Sequence, residues 1–211
     1  RRVLFRSVLK ELEKLNLDFL IIMEESDFVT INAIEKFKSK IIFQENKGYG
    51  DALILGLQSV KTKFFLIYNA DGSMDPNEIT KFYFKMTDSK IDLLFGSRYS
   101  KDGSSEDDTI TTYIGNKIFT LLGKIFFSLP ISDILYTYVM GDTKKTLDLK
   151  LKKKDFRVCV ELPIKAIKNN LKLADISSKE KARIGGVKKV NAFRDGLLIL
   201  IEMINLFFKK K

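Results

Sequence analysis

Apolar positions along this chain keep two rhythms that alternate. Leu4, Val8, Leu12 and Leu15 recur at helical spacing and predict a helix over residues 3–15. Short apolar runs at 19–23, 40–43, 64–68 and 91–96 are too brief for helices and rich in strand formers, so each predicts a buried strand. Helices are expected between them, at 30–37, from the turn at 46–52 to about residue 60, and at 77–86. Further on, 111–129 reads as a strongly apolar helix halted by Pro130, 132–141 as extended, 160–169 as a helix and 171–176 as a strand. The polar stretches 101–108 and 177–189 read as loops, the first mobile and the second basic. A last amphipathic helix at 191–208 runs into three lysines. Strands alternating with helices predict an α/β fold, a mostly parallel sheet with helices on both faces. Such sheets begin on a strand and this chain begins on a helix, so the expectation is a first strand missing from the N-terminus.

With 211 residues, 45% of them hydrophobic, one domain with a substantial core is expected. The single cysteine, Cys159, excludes an intramolecular disulfide framework and fits a reducing compartment. The chain has no histidine. That removes Ser-His-Asp and Cys-His hydrolysis and most zinc sites, and leaves oxygen-ligated Mg²⁺ or Mn²⁺ as the metals to expect. The net charge of +10 is uneven: residues 1–140 carry 18 Lys and Arg against 19 Asp and Glu, residues 141–211 carry 19 against 8. A cationic last third suits phosphates, an anionic membrane surface or nucleic acid. Residues 1–6 lack the apolar core of a signal peptide. The most apolar segment, 197–208, is broken by Glu202 and Asn205. As a helix it would span about 18 Å against the roughly 30 Å of a hydrocarbon layer. The expected location is cytoplasmic, at most peripheral on a membrane.

The candidate chemistry gathers after the third apolar run. Residues 64–68 stop on Asn69-Ala70-Asp71-Gly72-Ser73, small and polar residues at a strand's carboxyl end, where open α/β sheets bind ligands. Asp75-Pro76 then opens a helix. Strand, acidic turn and helix suit a divalent metal and a phosphate, although an ordinary Asp-Gly turn would carry the same residues.

Six blocks in order over about 165 residues extend this reading: residues 24–30, 46–52 (Asn-Lys-Gly-Tyr-Gly-Asp-Ala), 69–76, 96–99 (Gly-Ser-Arg-Tyr), 133–138 and 183–189 (Arg-Ile-Gly-Gly-Val-Lys-Lys). Together they resemble a family 2 glycosyltransferase of the GT-A fold, closest to the dolichol- and polyprenyl-phosphate sugar transferases. The resemblance implies a GT-A domain over 1–190, followed by an amphipathic helix with a lysine tail over 191–211. It implies that Glu24 contacts the donor nucleobase and that Asn46, Gly48 and Gly50 shape a loop near the nucleotide. Asp71 matches the second aspartate of the family's Asp-x-Asp metal motif, with Ser73 beside the metal and Asn69 in place of the first aspartate. Arg98 matches an arginine facing the acceptor phosphate. Arg183 and the following Lys188 and Lys189 match a mobile basic loop over the donor phosphates.

The implied reaction is inverting transfer of a sugar from a nucleoside diphosphate sugar, with Mg²⁺ or Mn²⁺, to a lipid-phosphate or glycan acceptor. Asp71, Arg98 and Asp133 are the catalytic candidates, Asp133 as the best available base, and Asn116 and Lys117 join Arg98 as acceptor-binding candidates. Two departures stand out. Val139 and Thr112 occupy positions where many relatives carry arginine. A basic phosphate- or nucleic-acid-binding module, a nucleotidyltransferase and a weakly active family member are the rival readings. The aromatics of the last third lie mostly on apolar faces rather than interleaved for base stacking, so nucleic acid is not an expected partner. Leu197, Ile201, Ile204 and Phe208 form an apolar stripe on the last helix that fits a membrane interface, or packing on the domain, or a dimer.

Overall fold

The computed structural model describes residues 2–37, 39–183 and 192–209. The chain runs through α1 (Arg2–Lys14), β1 (Leu20–Met23), α2 (Phe28–Ile34), β2 (Lys40–Phe43), α3 (Tyr49–Ser59), β3 (Phe64–Leu66), α4 (Glu78–Asp88), β4 (Leu93–Ser97) and β5 (Ser104–Ser105). It continues with α5 (Ile110–Phe127), β6 (Val139–Asp142), α6 (Thr143–Asp148), α7 (Val158–Lys168), β7 (Leu173–Ser177), β8 (Lys179–Glu180) and α8 (Ala192–Phe208). The strand–helix alternation expected from the apolar runs is present.

The central sheet has the order β3-β6-β4-β7, and β1 and β2 form a separate parallel pair. β6 runs antiparallel to both β3 and β4, while β7 is parallel to β4. β3, β4 and β7 therefore share a direction, and their carboxyl ends meet at one edge. The reversed strand was not evident from its sequence, because a short apolar run carries no sign of direction. Gly141 makes its insertion possible: a Cβ there would lie 2.4 Å from Leu93 and 2.8 Å from Phe65.

β4 is buried along its whole length, as expected of a strand covered on both faces. Leu93 and Phe95 face a cluster that includes Val160 and Ile164 of α7 and Ile199 and Met203 of α8. Leu94 faces the other way, toward Ile79, Phe82 and Met86 of α4 and Val8 and Leu12 of α1. Leu9 of α1 instead joins Ile21 and Met23 of β1, so α1 packs on both sheets. α8 buries one stripe in this core and leaves the opposite one exposed. Among the described residues no helix is long and apolar enough to cross a membrane.

Candidate active site

The shared direction of β3, β4 and β7 brings three segments far apart in sequence to one edge of the sheet: the 69–75 turn, Arg98, and the stretch from Ser178 to Arg183. The backbone N–H of Lys181 donates to the Ser73 carbonyl at 2.8 Å, tying the last segment to the first. The 101–108 stretch, expected to be a mobile loop, is hydrogen-bonded into this edge. β5 pairs in parallel with β8, and the Glu106 N–H donates to the Glu180 carbonyl.

In the turn, Asp71 Oδ1 accepts from the Ser73 N–H at 3.1 Å and from the Ser73 hydroxyl at 2.8 Å. Ser73 is buried and aims this carboxylate. Asp71 Oδ2 faces the Arg183 guanidinium at 3.7 Å. Arg183 also grips Asp107 through Nε at 3.1 Å and NH2 at 2.9 Å. The Asp107 hydrogen bonds raise the Arg183 pKa against a smaller opposing effect of burial. Asn69 Oδ1 accepts from the Tyr49 hydroxyl at 3.1 Å, and that hydroxyl shares a 2.5 Å hydrogen bond with Thr137. Tyr49 stacks on Phe156, and burial raises its pKa, so it stays a neutral donor to Asn69.

Beside this turn lies a denser cluster. Arg98 donates through Nε to Asp133 Oδ2 at 2.7 Å, through NH2 to Asp133 Oδ1 at 3.0 Å and through NH1 to Glu180 at 3.0 Å. Asp108 stands 3.6 Å from the same guanidinium. The guanidinium lies over the rings of Tyr99 and Tyr136. Burial alone would lower the Arg98 pKa, but the hydrogen bonds and charge of Asp133 outweigh it and raise the value.

Three of the candidate residues are bonded to one another or to their neighbours. Asp133 is fully buried and accepts also from the Arg98 N–H and from Asn116. Asn116 is buried, its amide N–H donating to Asp133 and its amide oxygen accepting from Thr120. Arg98 is one guanidinium among three carboxylates, Asp108, Asp133 and Glu180.

Residues 2–146 match the sequence model described as Glycosyl transferase family 2. The chain belongs to this family. It is 23% identical over 182 residues to uncharacterized glycosyltransferases of Mycobacterium bovis and Mycobacterium tuberculosis, a match over 86% of this chain and 82% of theirs. Among solved structures it is similar to glucosyl-3-phosphoglycerate synthase from Mycobacterium tuberculosis. The structure of that enzyme with Mn²⁺, UDP and glucosyl-3-phosphoglycerate gives a TM-score of 0.75 at 11% identity, over 100% of this chain and 77% of that one. Mannosyl-3-phosphoglycerate synthase from Rubrobacter xylanophilus gives 0.68 at 12% identity, over 97% and 68%. The fold is that of the GT-A glycosyltransferases.

In this family 2 glycosyltransferase the remaining candidates spread around the same edge. Glu24 follows β1 and lies 3.9 Å from Lys47. The 46–52 loop is shaped by the backbone of residues 153–155: a Cβ on Gly48, whose φ is +134°, or on Gly50 would fall 2.1 Å from a carbonyl oxygen there. Asn46 contributes its carbonyl, which accepts from Gln44. These glycines are thus required by packing against that segment. Lys117 is exposed on α5, its ammonium 4.5 Å from the centre of the Tyr99 ring. Lys188 and Lys189 lie outside the described residues. Sequence reasoning missed Tyr49, Tyr99, Asp107 and Asp108 as parts of the site. Tyr49 stood between two glycines already singled out, Tyr99 ended the Gly-Ser-Arg-Tyr block, and Asp107 and Asp108 were signalled by being adjacent acids.

The turn fits a hard divalent cation. Asp71 Oδ2 is the carboxylate oxygen left over from Ser73, and it already faces a cation, Arg183. The Asn69 oxygen keeps a second lone pair beyond its bond from Tyr49. Among the described residues no group of three or more Asp, Glu, Cys or His could hold a metal unaided. Phosphate oxygens and water would complete the shell, the usual arrangement for Mg²⁺.

Proposed function

We propose that this chain transfers a sugar from a nucleoside diphosphate sugar to a phosphate-bearing acceptor, with the donor diphosphate and a Mg²⁺ or Mn²⁺ ion meeting at Asp71 and Asn69. The observation that carries the reading is the Asp71 carboxylate, fixed by Ser73 at the carboxyl end of β3 with its other oxygen facing Arg183. Bound there, the ion would neutralise charge building on the leaving nucleoside diphosphate. Arg183 is the residue for the donor phosphates, because its planar fork can exchange Asp107 and Asp71 for two phosphate oxygens. The 46–52 loop closes the same side. Tyr49 holds Asn69 at the mouth of the turn.

The acceptor reading rests on the neighbouring carboxylates. Asp133 and Glu180 are taken by Arg98, Asp108 by Tyr99 and Thr112, and Asp107 by Arg183. A hydroxyl acceptor needs a base to take its proton, whereas a phosphate oxygen is already ionised. That favours attack by the phosphate oxygen of a polyprenyl-type lipid phosphate at a membrane surface. A phosphorylated hydroxyl acceptor is the second reading, favoured by the similarity to synthases solved with phosphoglyceric acid. Positioning and electrostatics would carry most of the rate in either case.

Transfer of labelled sugar from UDP-glucose or GDP-mannose with Mn²⁺, to a polyprenyl phosphate and in parallel to phosphoglycerate, tests this directly. Asp71→Ala is expected to lower turnover about 10³-fold, the scale of losing one strong electrostatic contact to the transition state. Unchanged turnover in that variant would remove the proposed role of the turn.

A further inference from the structure

α5 and α8 lie side by side, Phe119 of α5 approaching Gly196 and Phe126 meeting Phe207 edge-on at 5.6 Å. Their outer faces are apolar and exposed. On α5 the positions include Ile114, Ile118, Leu121 and Ile125, 51–62% exposed, and on α8 Leu197, Ile201 and Ile204, 43–60% exposed. Each set recurs at three- and four-residue steps, so each forms one stripe. Scattered exposed apolar residues are ordinary, but two adjacent stripes make a continuous patch of the kind that marks a binding surface.

Lysines flank the patch. α5 contains no Asp or Glu and carries Lys117 and Lys124. On α8, Asp195 and Glu202 fall seven residues apart on the side away from the stripe, and Glu202 is buried and paired with Lys153 at 2.7 Å. Lys209 follows α8, and the sequence continues Lys210-Lys211. We propose that the α5–α8 face docks on an anionic lipid surface, its apolar stripes in the acyl–headgroup boundary and its lysines on the head groups. A second copy is the poorer occupant, because apposing two such faces brings cations against cations, whereas anionic head groups complement both features at once.

The patch also leads to the site. Tyr113 of α5 stacks edge-on with Tyr99 at 5.2 Å, Lys117 sits over both rings, and Arg98 also lies over the Tyr99 ring. A chain docked through α5 would hold its sugar-transfer edge next to the head groups. The docking does not depend on the transferase reading, and its test uses no donor sugar.

The experiment is co-sedimentation of the 211-residue chain with vesicles of phosphatidylcholine alone and of phosphatidylcholine with phosphatidylglycerol. Binding is expected to the anionic vesicles, and to fall as salt rises from 0.05 to about 0.5 M because the lysine attraction is screened. Ile114→Glu with Leu121→Glu, and separately Leu197→Glu with Ile201→Glu, should weaken binding at least tenfold while circular dichroism stays unchanged. Lys124→Gln with Lys209→Gln should weaken it a few-fold. No binding to anionic vesicles would overturn the proposal. So would a dimer, seen by light scattering, that the same glutamate substitutions dissociate. Vesicle binding without sugar transfer would sustain the docking and count only against the proposed reaction.

Discussion

Arg98 and Arg183 stand at the same edge of the sheet, both among carboxylates, and are held in opposite ways. The Arg98 side chain is 10% exposed, is bonded to Asp133 and Glu180, and lies against two tyrosine rings. The Arg183 side chain is 26% exposed, bonded to Asp107 and 3.7 Å from Asp71. A buried charge with fixed partners is architecture: it ties β4 to the segment before β6 and to β8, and giving up those partners would strand charge in a low dielectric. A half-exposed arginine can exchange partners at little cost, because water screens it during the move. The difference separates the residue that builds the edge from the one suited to follow a ligand.

The most direct way to break this comparison is Arg98→Ala. It leaves Asp133 buried without its partner and should cost about 3–5 kcal/mol of stability, measured by denaturant unfolding. A loss below about 1 kcal/mol would place Arg98 with the surface arginines instead. Arg183→Ala should cost less than about 1 kcal/mol by the same measurement. Its effect should fall on the donor, with KM for the nucleotide sugar rising about tenfold, as expected for one charge-assisted contact of about 1.4 kcal/mol. Equal stability losses in the two variants would erase the distinction.

The smallest effect sharpens the scale. Arg157 and Asp155 form a pair as exposed as Arg183, and the Arg157 hydrogen bonds hold the Asp155 carboxyl below its usual 3.8. A depressed carboxylate contributes its stability above 3.8 and loses it as pH falls through the lower folded value. Wild type should therefore lose slightly more stability than Asp155→Asn between about pH 4 and pH 2. Parallel melting-temperature profiles of the two proteins would show that this pair contributes nothing.

Much of the fold was legible. The runs at 19–23, 40–43 and 64–68 appear as β1, β2 and β3, and the Asp71 turn falls at a strand's carboxyl end as its composition implied. The last strand before the Arg98 turn was also placed within two residues. β6 was read only as extended, since neither its reversal nor its place between β3 and β4 leaves a local mark. α6 was not expected: Thr143–Asp148 is too short for a periodic signal. The 101–108 stretch was read as mobile because its residues are polar. Those same polar groups are what bind it, Asp107 to Arg183 and Asp108 to Tyr99.

The site divides along the same line. The order and type of residues from Asn69 to Ser73 were enough to point to metal and phosphate chemistry, because that depends on neighbours within a single turn. The pairing of Arg98 with Asp133, 35 positions on, and with Glu180, 82 positions on, depends on which strands lie side by side. Hydrogen bonds saturate a side chain only in three dimensions, so tertiary structure alone decided that Asp133 is a buried anchor and that the second Asp71 oxygen faces Arg183. Local sequence determined the chemistry this chain carries, and strand order determined which of its charged groups remain available to use it.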